Sequence, residues 1–533
     1  MPPRVRLQHV LGDLWRACDA VQVELRGKYS LGRFQELAND VQARPSRWRA
    51  VRDLPFTPVQ CLVVMIFLDV LPLRPPSDGV YHQSVWFWLR VAVSVTCISY
   101  SVIVQLLLAV PALEMTTQRL WGISITLGLC AIVEFFSLGV IVGFPTPFAL
   151  QLTTMPWLWT LGLSLWLSWR NTLQTDKDAW TRFCEYLIVY SSQAVIVFVY
   201  PVYYYIFTTL EGDHQTMFTI VLPVLKIIFK NWVNRGLRHI EDLVPITTVF
   251  HVDVFHSLFM SSTAQQATTI GTTVVLMAID VAQSLIAYIQ FNEVLHRIEK
   301  HRKKVKINNS NGKQVSSLID SALNIVNEDP DRFRQLLEST DLKPNHSASI
   351  SSRVLPHGPS ESDMVVSLRN KDEILQVKFV LDVLKLLHMT EFFILIEFVE
   401  ATMATVYGQA FHAEGQSAEI PLPVAAYLFI LSLLPNRMYY KQACTLSPSE
   451  LRMTASHVAT YALLEILSFV IFSAVLRWRI KGFSPFHQLA FVLHKHRQMA
   501  QTMLLLWVLF VVQLSLEHAG TDYTFKFAWL HAG

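Results

Sequence analysis

The chain has 533 residues, of which 52% are hydrophobic and only 16% charged, with 44 Lys+Arg against 41 Asp+Glu and a net charge of +3. Soluble chains carry about 25% charged residues, so these proportions exclude an ordinary cytosolic enzyme, a disordered chain and a disulfide scaffold, and the small net charge excludes a nucleic-acid binder. What remains is an all-α, polytopic transmembrane helix bundle whose principal partner is the lipid bilayer.

Residues 1–54 form a charged N-terminal tail with no apolar run of signal-peptide type. Leu7, Val10, Leu11, Leu14, Cys18, Val21 and Leu25 recur at three- and four-residue steps, the pattern of an amphipathic helix. Such a helix lies on the membrane surface or docks on the protein's own loops, and the sequence leaves both open.

A first bundle is expected over 55–291 and a second over 376–517, with a cytosolic basic and serine-rich loop at 292–375 and a short C-terminal tail at 518–533. Apolar runs long enough for a hydrocarbon core of about 30 Å fall at 55–73, 85–110, 119–143, 147–169, 184–209, 266–291, 389–411, 453–476 and 499–517. Two short proline-marked runs, 216–230 and 420–434, and a third at 244–261 broken by His251, Asp253 and His256, are expected as half-helices, re-entrant or interfacial segments. That gives nine spans, or eleven to twelve if the short runs cross.

Basic residues orient the bundle. The tail, the loop with Arg170, Lys177 and Arg182, and the run from Arg297 to Lys306 are all expected in the cytosol. Residues 436–452 and 477–498 are both basic and cannot both be inside if 453–476 spans. Treating 420–434 as non-crossing puts 477–498 inside and the C-terminus outside. Glu211-Gly212, Leu222-Pro223-Val224 and Asn234-Arg235 recur in order as Glu414-Gly415, Leu422-Pro423-Val424 and Asn436-Arg437, which points to a parallel internal duplication. The cluster Arg297, Lys300, Arg302, Lys303, Lys304 and Lys306 is a positive-inside signal and a candidate contact for anionic lipid.

No phosphate loop, dinucleotide fingerprint, zinc-protease or nucleophile-elbow motif is present, so neither an enzyme nor an ATP-driven pump is expected, and no cofactor. His251, Asp253 and His256 look like a metal set, but residues five apart on an α-helix diverge by roughly 140°, and no metal site is expected. The informative residues are acids inside apolar runs, which are expensive there and face a bundle interior or water. Asp280, Glu397, Glu400 and Glu465 are the candidate polar pathway, with Asp69 and Glu134 as further acids and Arg90 and Lys226 as rare bases. Hydrogen-bonded, individually satisfied acids are the competing reading.

Val252 to Leu258, with Val274 to Gln283, resembles an uncharacterised, lineage-restricted family of multi-pass membrane proteins from oomycetes, and Lys28-Tyr29-Ser30-Leu31 and Thr521 to Phe525 have the same character. The resemblance implies a multi-pass membrane protein and no assigned activity. Two functions are therefore carried forward: secondary transport or channel-like passage of a cation or proton-coupled small solute, which the acids favour, and a non-transporting scaffold or sensor.

Overall fold

The computed structural model describes residues 22–42, 47–210, 212–265, 285–286, 288–302, 318–328, 361–403, 439, 448–480 and 483–522. They are 87% helical, with no strand among them. In chain order the helices are α1 Leu31–Gln42, α2 Arg47–Val70, α3 Val85–Ala109, α4 Thr117–Val142, α5 Ala149–Thr175, α6 Lys177–Thr209, α7 Gly212–Phe218, α8 Val221–Gly236 and α9 Val244–Thr248. A π-helical turn over Val249–Asp253 joins α9 to α10 Val254–Gln265. There follow α11 over 288–302, α12 Leu318–Glu328, α13 Glu361–Thr402, α14 Pro448–Arg479, α15 Pro485–Lys495 and α16 Arg497–Ser515.

Among the described residues, five segments are long and apolar enough to cross a membrane: Val85–Ala109, Thr117–Val142, Lys177–Phe207, Gly212–Gly236 and Arg497–Ser515. This is an integral membrane protein built as an all-α bundle. Its outward surface is apolar in helical register. On α4, Trp121, Ile125, Leu129, Val133, Phe136 and Val140 are all exposed, a stripe that repeats every three to four residues. A water-facing helix would show charge there; a hydrocarbon-facing one shows this. The less apolar α5 hides its hydroxyls by returning them to its own backbone: Thr160 donates to Pro156 O (3.1 Å), Ser164 to Thr160 O (2.8 Å) and Ser168 to Ser164 O (2.7 Å).

Side-chain pairings fix the directions. Trp157 of α5 donates to Ser99 of α3, and Trp169 donates to the carbonyl of Glu114, so α5 retraces α3. At the α3–α4 crossing, a Cβ on Gly128 would run into Thr96 and the Ala92 carbonyl, so glycine sets how near the two backbones come. The run expected to be short at 216–230 is longer than the sequence reading allows. Bent at Thr219–Ile220, α7 and α8 run back along the whole of α6: Gln215 bonds to Phe207 O, Phe229 packs on Tyr200, Trp232 donates to Ser191, and His239 reaches Glu185. The broken run at 244–261 is likewise one continuous helical path parallel to α6, with His251 against Ser192 and His256 against Tyr200. The π-turn inserts the polar side chains into the packed interior without ending the helix.

One end of the bundle gathers Arg26, Lys28, Arg170, Lys177, Arg182, Arg235, Arg238, Arg297, Lys300, Arg479 and Lys495. In the described loops of the opposite end, 71–84, 143–148 and 517–522, the only Lys or Arg is Arg74. The segment 477–498 lies at the basic end, because Arg479 donates to Asn292 (2.8 Å) and His487 meets Asp40 (3.1 Å). Residues 517–522 lie at the opposite end, where Phe148 N–H donates to Gly520 O. The second copy of the repeated sequence, 414–437, lies outside the described residues. So do Asp280 and most of the 266–291 run, and Lys303, Lys304 and Lys306 of the basic cluster.

Candidate functional site

Beyond the lipid-facing helices, the described residues of the interior gather charge in three places. Nearest the opposite end, Arg90 of α3 is held by Asp69 (2.7 Å), by Gln513 Oε1 (2.9 Å) and by the Leu68 carbonyl (2.9 Å). All its nitrogens are engaged and its charge is matched by one carboxylate, so this node joins α2, α3 and α16 as a closed unit.

At the basic end the N-terminal segment is tied to the bundle. Tyr29 donates to Glu391 of α13, Arg33 pairs with the other Glu391 oxygen (2.6 Å), and Arg33 also donates to the Asp242 carbonyl. Gln488 of α15 donates to Tyr29 (2.8 Å) and accepts from Thr390 (2.9 Å). Burial and the neighbouring Glu391 push the Tyr29 hydroxyl well above the usual phenol range, so it remains a donor. Gly27 is required here, since a Cβ would occupy the space of the His388 ring. Sequence reasoning noticed Tyr29 only through a resemblance and passed over Arg33, Asp242, Glu391 and Gln488. Glu391 sits two residues into an expected span, the one signal available.

The third place is the candidate site. Asp253, wholly buried in the π-turn, is gripped by Lys226 (2.9 Å) and Lys230 (3.1 Å) of α8, which lie four apart on one helix face. Lys230 also pairs with Glu24 (2.7 Å) from the N-terminal segment. Glu400 of α13 lies within electrostatic reach of Lys226, Asp253, Glu397 and Glu465. Glu397 accepts from Ser468 of α14 (3.0 Å) and feels Glu465. Three of the four acids expected as a polar pathway, Glu397, Glu400 and Glu465, are thus brought together from two helices, and the fourth, Asp280, lies outside the described residues. At 1.5 Å per residue, Lys226 and Asp253 stand about 15 Å from the basic ends of α8 and α9, near the middle of a core of about 30 Å.

The groups form a ladder of alternating sign, Glu24, Lys230, Asp253, Lys226, Glu400, running inward from the basic end. Among the described residues, five carboxyls, counting Glu397 and Glu465, stand around two ammonium groups. Fully ionised, these seven groups carry a net charge of about −3, a charge that protons or a cation would offset in a bundle interior. The histidines beside it go to separate partners, His251 to Ser192 (2.9 Å) and His256 to Tyr200 (3.1 Å), while Asp253 goes to the lysines. They do not converge on one point. Helix α13 positions Glu400 because it is continuous from the basic end, and α8 positions the lysines because its pairing with α6 leaves them facing the π-turn.

No family model, curated protein or solved structure matches this chain.

Proposed function

We propose that the protein passes protons or a small cation across its membrane, alone or coupled to a small solute, with Glu400 as the group that loads and unloads. The observation that supports this reading is the imbalance of the ladder: carboxyls from α13 and α14 are added to two lysines that Asp253 and Glu24 already balance. Asp280 belongs to the same proposal. The basic end is assigned to the cytosol by the positive-inside tendency, which puts Glu24 at the cytosolic mouth. Arg297 and Lys300, both exposed on α11, then face the anionic leaflet.

The test is proton and cation flux into proteoliposomes holding a pH-sensitive dye, driven by an imposed potential. Glu400→Gln is expected to lower flux at least tenfold while leaving melting unchanged or raised, because it reduces the excess of acid over base in the ladder. Flux equal to that of the unsubstituted protein overturns the proposal. A second reading, a non-transporting scaffold or sensor, is favoured by the Tyr29–Arg33–Glu391 ties, which wire the N-terminal segment to α13, to α15 and to the turn at Glu241–Leu243. Empty-liposome flux from the unsubstituted protein selects it.

A further inference from the structure

The ladder sits deep in the bundle, and its chemistry separates two kinds of ion. A metal cation that sheds its water must regain a shell of oxygens, about six to eight for Ca2+. Membrane proteins supply such shells from rings of carbonyls or from unwound helices. Around the ladder the described helices do not unwind. Helix α8 is continuous, α13 runs unbroken through Glu400, and α9 passes through the π-turn into α10, with Val254 N–H donating to the Val249 carbonyl. Carbonyls along such paths are committed to helical hydrogen bonds.

The side-chain oxygens are committed as well. Asp253 gives one oxygen to Lys226 (2.9 Å) and the other to Lys230 (3.1 Å), so an ammonium group stands at each. Glu24 Oε1 is on Lys230 (2.7 Å), and Glu397 Oε2 accepts from Ser468 (3.0 Å). Among the described residues, no three His, Cys, Asp or Glu side chains stand close enough to share a metal ion. The neighbouring imidazoles of His251 and His256 lie on Ser192 and Tyr200.

Both lysines are largely enclosed, with side-chain exposures of 13% for Lys226 and 7% for Lys230. A metal ion reaching Glu400 would meet the Lys226 ammonium, fixed on Asp253 and within electrostatic reach of Glu400, in a site short of oxygens. A proton needs neither shell nor space, since one carboxyl oxygen holds it. We propose that the ladder conducts protons and excludes metal cations, because the ammonium groups of Lys226 and Lys230 stand as tethered cations where Na+ or K+ would bind. Loading turns the Glu400 carboxylate into a carboxylic acid, unloading returns the proton to water, and no other bond changes. This selectivity rests on the transport reading above and adds to it a repulsive filter.

The test uses the full chain in proteoliposomes loaded with potassium and a pH-sensitive dye, driven by valinomycin, in external sodium or N-methyl-D-glucamine. Uptake of radiolabelled sodium, and of rubidium without valinomycin, is measured in parallel. Proton entry is expected to agree within about twofold in the two media, with sodium and rubidium uptake no greater than in empty liposomes. Metal-ion uptake above that level, or a larger dependence of proton entry on sodium, overturns the selectivity and leaves transport standing. Proton entry no greater than in empty liposomes overturns the transport reading and the selectivity with it. Lys226→Gln is expected to admit sodium at roughly five times the empty-liposome level, and Lys226→Arg to keep it out. Sodium uptake at the empty-liposome level in folded Lys226→Gln protein overturns the role given to the ammonium group. Should that variant fail to fold, the comparison of media on the unsubstituted protein decides alone.

Discussion

The Arg90 node and the Lys226–Asp253 ladder are both buried ion pairs inside the bundle, yet they are built on opposite principles. Around Arg90 each guanidinium nitrogen makes a bond and one acid matches one base, so the node ties α2, α3 and α16 together. Around Asp253 two bases meet an excess of acids, so the set has more than one charge state. A matched pair is a fastener, and an unmatched set is a place where charge can be exchanged.

The sharpest way to break this contrast is to strand one partner in each. Asp69→Leu leaves Arg90 buried without its carboxylate and is expected to destabilise by about 3–5 kcal/mol, read as loss of monodisperse protein in detergent; adding Arg90→Met should restore most of it. Removing a carboxyl from the ladder, as in Glu400→Gln, should produce no such loss. Next in size is acidification. Burial first, and then Arg90, press His518 down to about 4, from an ordinary value of 6.5. The folded chain therefore binds that proton more weakly than the unfolded one. Its stabilisation is complete above about pH 6.5 and declines as pH falls toward 4, by order 1 kcal/mol per pH unit. Melting curves across that range should slope accordingly, and His518→Gln should flatten them.

Smaller again is Tyr29→Phe, which removes the hydroxyl shared by Glu391 and Gln488 and is expected to lower stability by about 1–3 kcal/mol. Limited proteolysis of the N-terminal segment should then speed up. Smallest is Ser164→Ala on α5, whose hydroxyl only returns to its own helix; a melting shift equivalent to more than about 0.5 kcal/mol would show that this face is not a passive lipid contact.

The bundle was largely legible because hydropathy reports directly on the solvent a helix meets. The runs at 85–110, 119–143 and 499–517 match α3, α4 and α16 to within a few residues. The failure is at 216–230, which looks short and proline-marked but belongs to the longer segment Gly212–Gly236, and 244–261, interrupted by His251, Asp253 and His256, is one helical path through its π-turn. A window average treats polar residues as a reason to end an apolar run, whereas in the fold Lys226 and Lys230 face Asp253 and both helical paths continue. Glu397, Glu400 and Glu465 were visible as costly residues, but their neighbours were not, because Lys226 and Asp253 reach them from more than a hundred residues away. The Tyr29–Arg33–Glu391 ties were hidden for a related reason: a tyrosine and an arginine in a polar tail are unremarkable until the tail is known to fold inward.

Helix α13 runs unbroken through 42 residues, about 63 Å at 1.5 Å per residue, twice the hydrocarbon thickness. Glu391 and Glu400 are nine residues apart on it, so at 100° per residue they project from opposite sides of one stiff rod. Any roll of that axle that pulls Glu391 away from Arg33 also swings Glu400 relative to Lys226, and the N-terminal segment thereby holds a mechanical handle on a group buried some 14 Å deeper in the membrane.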